Sequence, residues 1–197
     1  MTTTRRTPRP FEPAELEALR LSALQMGRPD VWAAMSWLRE TGCRIAEACA
    51  ITSEEARTWQ VPPWWCRRNA CIRHASFVIV NGKGSKKRRV LLTRRAVLAS
   101  QVLLAHTSNG LVPWTDRGCR YLFAQVGARA GVAGVSPHRF RHQAVFDLLE
   151  ASVPVEVVAD MMGHSTVDIT RIYYLTSKAR QVTAARMRSR RRRSSRV

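Results

Sequence analysis

The sequence predicts a mostly α-helical protein with one small antiparallel β-hairpin. Three observations carry that expectation. Apolar residues recur at helical spacing in segments bracketed by cap-type residues through most of the chain. A single place reads as paired strands, "SFVIV" and "RRVLL" around the turn-rich "NGKGSKK". No internal repeat and no run of 18 apolar residues interrupts this pattern, so no membrane span is expected.

The elements follow in order. Residues 1–10 read as a disordered basic arm. "FEPAELEALRLSAL" opens the first helix, with Pro13 suited to a first turn and Glu15 to the positive end of the helix dipole. "DVWAAMSWLRE" is a second helix, pointing Trp32, Met35 and Leu38 at a core and ending at Gly42; "RIAEACAI" begins a third. Residues 53–74 have no clean period and read as irregular. After the hairpin, Thr93 caps "RRAVLASQVLLAH", Thr115 caps a helix that Gly131 stops, and Ser136 followed by Pro137 starts another. "PVEVVADMMG" is a short helix closed by Gly163, and "TVDITRIYYL" and "SKARQVTAARM" complete the fold. The expected organisation is the arm at 1–10, one domain over 11–185 and an Arg-rich tail at 186–197.

With 45% hydrophobic residues, 197 residues suffice for a hydrophobic core. Lys and Arg number 33 against 14 Asp and Glu, a formal charge of +19, and only four of the basic residues are lysines. Such a balance favours a polyanionic partner, and arginine's bidentate fork favours phosphate. The first residues lack the apolar core of a signal peptide. An odd set of five cysteines, at 43, 49, 66, 71 and 119, fits free thiols in a reducing cytoplasm. The expected location is therefore cytoplasmic, at the nucleoid, with no membrane partner. Cys66, Cys71 and His74 could suggest a metal, but C-x4-C-x2-H lacks a fourth ligand and standard zinc spacing, so that stretch reads better as an aromatic-anchored insertion.

Six residues could share one chemistry. Arg44 has Glu47 three positions on, and His138 has Arg141; Lys83 sits between two glycines of the hairpin turn, His164 follows Gly163, and Tyr173 comes nine residues after His164. Singly, each has an ordinary structural reading: a helix ion pair, a charged turn, a surface or corner histidine, a core tyrosine. Together they are what phosphodiester transfer without a metal requires. Two guanidinium forks can hold the equatorial oxygens of a pentacoordinate phosphorus. A Lys or His can protonate the departing sugar oxygen. A tyrosine can attack, and its phenol, with a pKa of about 10, leaves again more readily than an alkoxide.

The order and spacing of these residues resemble the tyrosine recombinases, the phage-integrase family. "TGCRIAE" is similar to that family's first arginine box, "VNGKGSKKRRVLL" to its β-hairpin, "SPHRFRH" to its H-x-x-R box and "MMGHS" to its L-G-H-S box. The resemblance implies the family's catalytic-domain fold, with Arg44, Lys83, His138, Arg141, His164 and Tyr173 catalytic and Glu47 supporting. Lys83 is the expected general acid, Tyr173 rather than Tyr174 the expected nucleophile, and Lys86, Lys87, Arg88, Arg117 and Arg139 the expected DNA contacts. It further implies a 3′-phosphotyrosyl intermediate, no metal or other cofactor, a specific double-stranded recombination site, a homo-tetramer on DNA, and accessory DNA-bending proteins as further partners. The short stretch before the first helix resembles the catalytic-domain-only members, although a truncated or degenerate integrase gives the same pattern. A type IB topoisomerase-like nicking-closing enzyme and a noncatalytic DNA-binding regulator on the same fold stay open as alternatives.

Overall fold

The computed structural model describes residues 9–59, 76–81, 87–107, 109–164, 167 and 170–175. They fall into two compact units, Pro10–Ala144 and the part from Val145 onward together with Arg9.

The first unit opens with α1 (Pro13–Gln25), α2 (Pro29–Thr41), α3 (Ile45–Cys49) and α4 (Ser53–Arg57). Proline stands in the first turn of both α1 and α2, where its missing N–H has no partner to lose. Helix α1 is also tied at its start by the Glu12 amide donating to Glu15 Oε2 at 2.8 Å. Helix α2 stops at Gly42, which adopts the left-handed conformation at φ 63° that glycine takes without strain. Helix α4 corrects the expectation of irregular chain from residue 53. Thr52 caps it by accepting from the Glu55 amide at 3.1 Å, a local hydrogen bond that outweighs the absence of an apolar period in five residues.

Strands β1 (Ser76–Asn81) and β2 (Lys87–Leu92) pair antiparallel, with Val78 opposite Val90 and Val80 opposite Arg88. Alternation sorts their faces: Val78, Val80, Val90 and Leu92 are buried, whereas Phe77 and Ile79 are exposed. Next come α5 (Arg94–Leu104) and α6 (Asp116–Arg129), each started as expected by a threonine. Thr93 Oγ1 accepts from the Ala96 amide and Thr115 Oγ1 from the Gly118 amide.

The core of this unit lies between α2 and α5, the most extensively packed helix pair. Helix α2 is buried almost all round, with Val31, Ala34, Met35, Trp37 and Leu38 inaccessible. Trp37, stacked 6.3 Å from Trp59, is the deep tryptophan; Trp32, expected inward, is only partly buried. Phe140 joins the core, 4.8 Å from Phe11 and edge-on to Phe123 at 5.6 Å. Burying a ring of this size stabilises by about 1.5–3 kcal/mol, so these aromatics anchor the unit.

Helix α7 (Pro137–Glu150) gives its first half to this unit and its second half to the other. The second unit continues with α8 (Val155–Met162), closed by left-handed Gly163 at φ 61°, and with helical residues 170–175. Its buried side chains include Phe146, Leu149, Val158, Met162, Thr170 and Tyr173. No helix among the described residues is long and apolar enough to cross a membrane.

Candidate active site

In the first unit the turn between α2 and α3 brings the first arginine box together. Left-handed Gly42 ends one helix, and Arg44, extended at φ −73° and ψ 148°, is the cap of the next. Glu47 locks this geometry. One of its oxygens accepts the Arg44 backbone amide at 2.7 Å and the other the Arg44 guanidinium at 3.0 Å. Its carboxylate is almost wholly buried and takes a second cation, Arg88, at 2.6 Å. A buried carboxylate is tolerable only when it is paired and hydrogen-bonded in this way. Arg44, with 40% of its side chain exposed, keeps its tip open to solvent.

Arg141 arrives from α7. Ser136 caps that helix, its Oγ accepting from the Arg139 amide at 3.3 Å, so His138 and Arg141 sit in the first turns on one face. Arg141 is buried and donates to the Gly42 carbonyl, so the carbonyl released by the helix stop holds the second arginine. Burial and the Arg44 and Arg88 guanidiniums push Arg141 down to about 10, which leaves it a cation at neutral pH. Burial, followed by Arg141, Arg44 and Arg120, holds the His138 imidazole below the usual histidine value, which favours its neutral form. Cys43, buried between these groups, is pushed up to about 11, chiefly by burial. It is a free thiol, as are Cys49 and Cys119.

Arg44, His138 and Arg141 line one cavity of about 440 Å³, together with Cys43, Ser136, Asp116 and Arg120. Two arginines and a histidine facing a common space make a receptor for an anion that carries oxygens in several directions. The expected set omits Asp116 and Arg120. They form an i, i+4 pair on α6 with two hydrogen bonds of 2.8 and 2.7 Å, and that spacing after the Thr115 cap was the available signal.

Two of the expected DNA contacts have partners within the protein. Arg88 points inward to Glu47, with its side chain only 12% exposed. Strand alternation accounts for it, since Arg88 shares a face with Val90 and Leu92. Arg139 lies over the Phe11 ring at 3.8 Å and donates to the Ala133 carbonyl and Glu15, so its charge is used in holding α7 to α1. Arg117 and Lys87 are exposed. Lys83 and Lys86 lie outside the described residues, as do the stretch 60–75 with Cys66, Cys71 and His74, residues 1–8 of the arm, and the chain after Leu175.

The second unit holds the other two candidates. His164 follows Gly163; its amide donates to the Ala159 carbonyl at 3.0 Å, and its Nδ1 is 2.8 Å from Thr170 Oγ1. Since Thr170 is wholly buried, this hydrogen bond fixes the imidazole at the corner. Tyr173 is 5% exposed, its ring edge-on to Phe146 at 5.4 Å, whereas Tyr174 is 39% exposed. Adjacent tyrosines on a helix point about 100° apart, and here one is packed and the other open.

Known proteins are similar to this chain in sequence and fold. The model of the phage integrase family matches residues 29–180. The tyrosine recombinase XerD of Mycobacterium tuberculosis H37Rv is 31% identical over 163 residues, covering 74% of this chain and 47% of the relative. XerD of Brucella suis is 31% identical over 182 residues, covering 82% and 50%. Among solved structures, XerA recombinase superposes with a TM-score of 0.66 at 20% identity, covering 94% of this chain and 66% of that one. XerH site-specific recombinase bound to palindromic difH substrate superposes with a TM-score of 0.67 at 18% identity, covering 93% and 55%. The chain spans about half the length of the curated relatives it matches. With the family model covering most of the sequence and the XerD relatives most of its length, the chain belongs to the phage integrase family of tyrosine recombinases.

Proposed function

We propose that this chain cleaves and rejoins DNA as a site-specific recombinase, through a phosphotyrosyl bond. The observation that carries the reading is the cavity into which Arg44, His138 and Arg141 converge from separate stretches of sequence. In it a scissile phosphate is held by the two guanidiniums, with His138 on a further oxygen. The Tyr173 phenol gives up its proton as its oxygen attacks phosphorus, and the bond from phosphorus to the 5′-oxygen breaks. Lys83 delivers a proton to that oxygen, leaving a 3′-phosphotyrosine and a free 5′-hydroxyl. Attack by the 5′-hydroxyl of a second duplex reverses the step and restores the phenol. His164, fixed by Thr170, steadies the phosphate. Lys87 and Arg117 meet the flanking backbone, as does Lys86. Four protomers on two duplexes with a specific recombination site complete strand exchange, with accessory DNA-bending proteins as further partners, at the nucleoid. The Tn1549 transposon integrase structure in complex with circular intermediate DNA, and that of XerH bound to difH substrate, support the choice of partner.

A nicked suicide duplex, whose cleaved end diffuses away, tests the reading. It is expected to trap a covalent complex whose adduct maps to Tyr173, and Tyr173→Phe is expected to abolish that complex while duplex binding persists. An adduct on Tyr174 would overturn the assignment. Relaxation of supercoiled plasmid without strand exchange would point to a topoisomerase instead.

A further inference from the structure

We propose that His142 is a positioning residue that sets the plane of the His138 imidazole and thereby aims its nitrogens into the pocket. The inference rests on the reading of that pocket as a phosphodiester-transfer site.

His142 lies one turn after His138 on α7, about 40° round the axis and about 6 Å along it, on the stripe that also carries Arg141. Helical side chains lean toward the N-terminus, so the His142 ring reaches back over that of His138. The two rings meet with centroids 4.1 Å apart and planes at 72°, an edge-to-face contact closer than any other ring pair described above.

The contact bears on a torsion that the backbone leaves undecided. A helix restricts χ1, but χ2 of a histidine is broad, so α7 delivers the His138 ring to the pocket without fixing its tilt. Tilt matters because both ring nitrogens hydrogen-bond in the plane of the ring and weaken steeply off-axis. The guanidiniums of Arg141, Arg44 and Arg120 disfavour the protonated form of His138, which leaves its ring neutral. What packs flat-to-edge against it is a second aromatic ring. Arg44 and Arg141 are aimed by hydrogen bonds to Glu47 and Gly42; for His138 the corresponding support is a ring contact.

The test compares His142→Ala with His142→Phe, which keeps a flat ring but has no nitrogen. On the nicked duplex at saturating concentration, His142→Ala is expected to form adduct roughly tenfold more slowly, with unchanged affinity for intact duplex, and His142→Phe to stay close to wild type. In a His138→Ala background, His142→Ala is expected to add nothing, because the residue acts through His138. An equal loss in both backgrounds, or a Phe variant as slow as Ala, would overturn the proposal. NMR of the histidine ring protons in the DNA-free protein supplies a readout independent of activity. The ring-current displacement of the His138 signals should vanish in His142→Ala and persist in His142→Phe. If those signals behave so while the adduct rate of His142→Ala is unchanged, the contact exists but the positioning role is wrong. If the wild-type protein forms no adduct, the pocket reading itself falls, and the ring signals separate that failure from failure of the contact.

Discussion

The cavity of the first unit and the His164–Tyr173 corner of the second hold their candidate residues by opposite means. Around Arg44 and Arg141, position comes from charge: a buried carboxylate shared by two guanidiniums, and a helix-end carbonyl taken by a third. Around Tyr173, position comes from packing: a ring edge on Phe146, and one hydrogen bond between buried Thr170 and His164. Desolvated charges are strongly destabilising when left unpaired, whereas an apolar contact fails gradually. The arginine pocket should therefore be brittle and the tyrosine corner tolerant.

The largest effect that sharpens this contrast is in Arg141→Lys. Lysine keeps the charge but not the fork that serves both the Gly42 carbonyl and a phosphate, so single-turnover adduct formation is expected to fall about 10²–10³-fold. Retention of wild-type rate would show that charge alone suffices. Glu47→Gln comes next. It leaves Arg44 and Arg88 around a neutral amide, and urea denaturation should report a loss of about 2–4 kcal/mol. The matching change in the other unit is Thr170→Val, which removes a hydroxyl and conserves volume. There the expected loss is about 1 kcal/mol, and a value equal to that of Glu47→Gln would erase the distinction.

The smallest effect is a pH dependence. The His138 imidazole is held below its unfolded value of about 6.5, so the unfolded chain binds the extra proton first. Stability contributed through His138 is therefore complete above about pH 6.5 and declines as pH falls toward the folded-state value. Replacing it by Gln should flatten that acid limb and change nothing above it, as read from denaturation midpoints across the interval. A limb that steepens in the variant would reverse the sign of the shift.

Most of the local structure was legible in the sequence, because a cap acts within four residues. Thr93, Thr115, Ser136, Gly42 and Gly163 all stand where their neighbours implied. The meeting of Arg44, His138 and Arg141 was legible only through the order of the boxes, since nothing local brings residues so far apart in sequence together. The destinations of individual arginines were harder to read. Arg139 needs Phe11 and Glu15, more than a hundred positions away, to become structural, and a chain this basic offers no clue to which cations are already engaged. Arg88 was the exception: the alternation that buries Val90 and Leu92 placed it inward, where only a carboxylate such as Glu47 could receive it. The deep tryptophan was missed because α2 is buried on nearly every face, so helical period could not rank Trp32 against Trp37.

The Gly42 peptide has a consequence for how the protein can change. Its left-handed backbone excludes most side chains, and its carbonyl anchors Arg141, so one residue answers to two independent demands. A library randomised at position 42 and selected for recombination would return almost nothing but glycine, with asparagine the nearest rival. Position 43, buried beside it with an uncharged thiol, would return small apolar residues of several kinds. The turn before α3 is therefore a fixed point under sequence change, and variation is better tolerated on the exposed side of α6, where Tyr121 faces solvent.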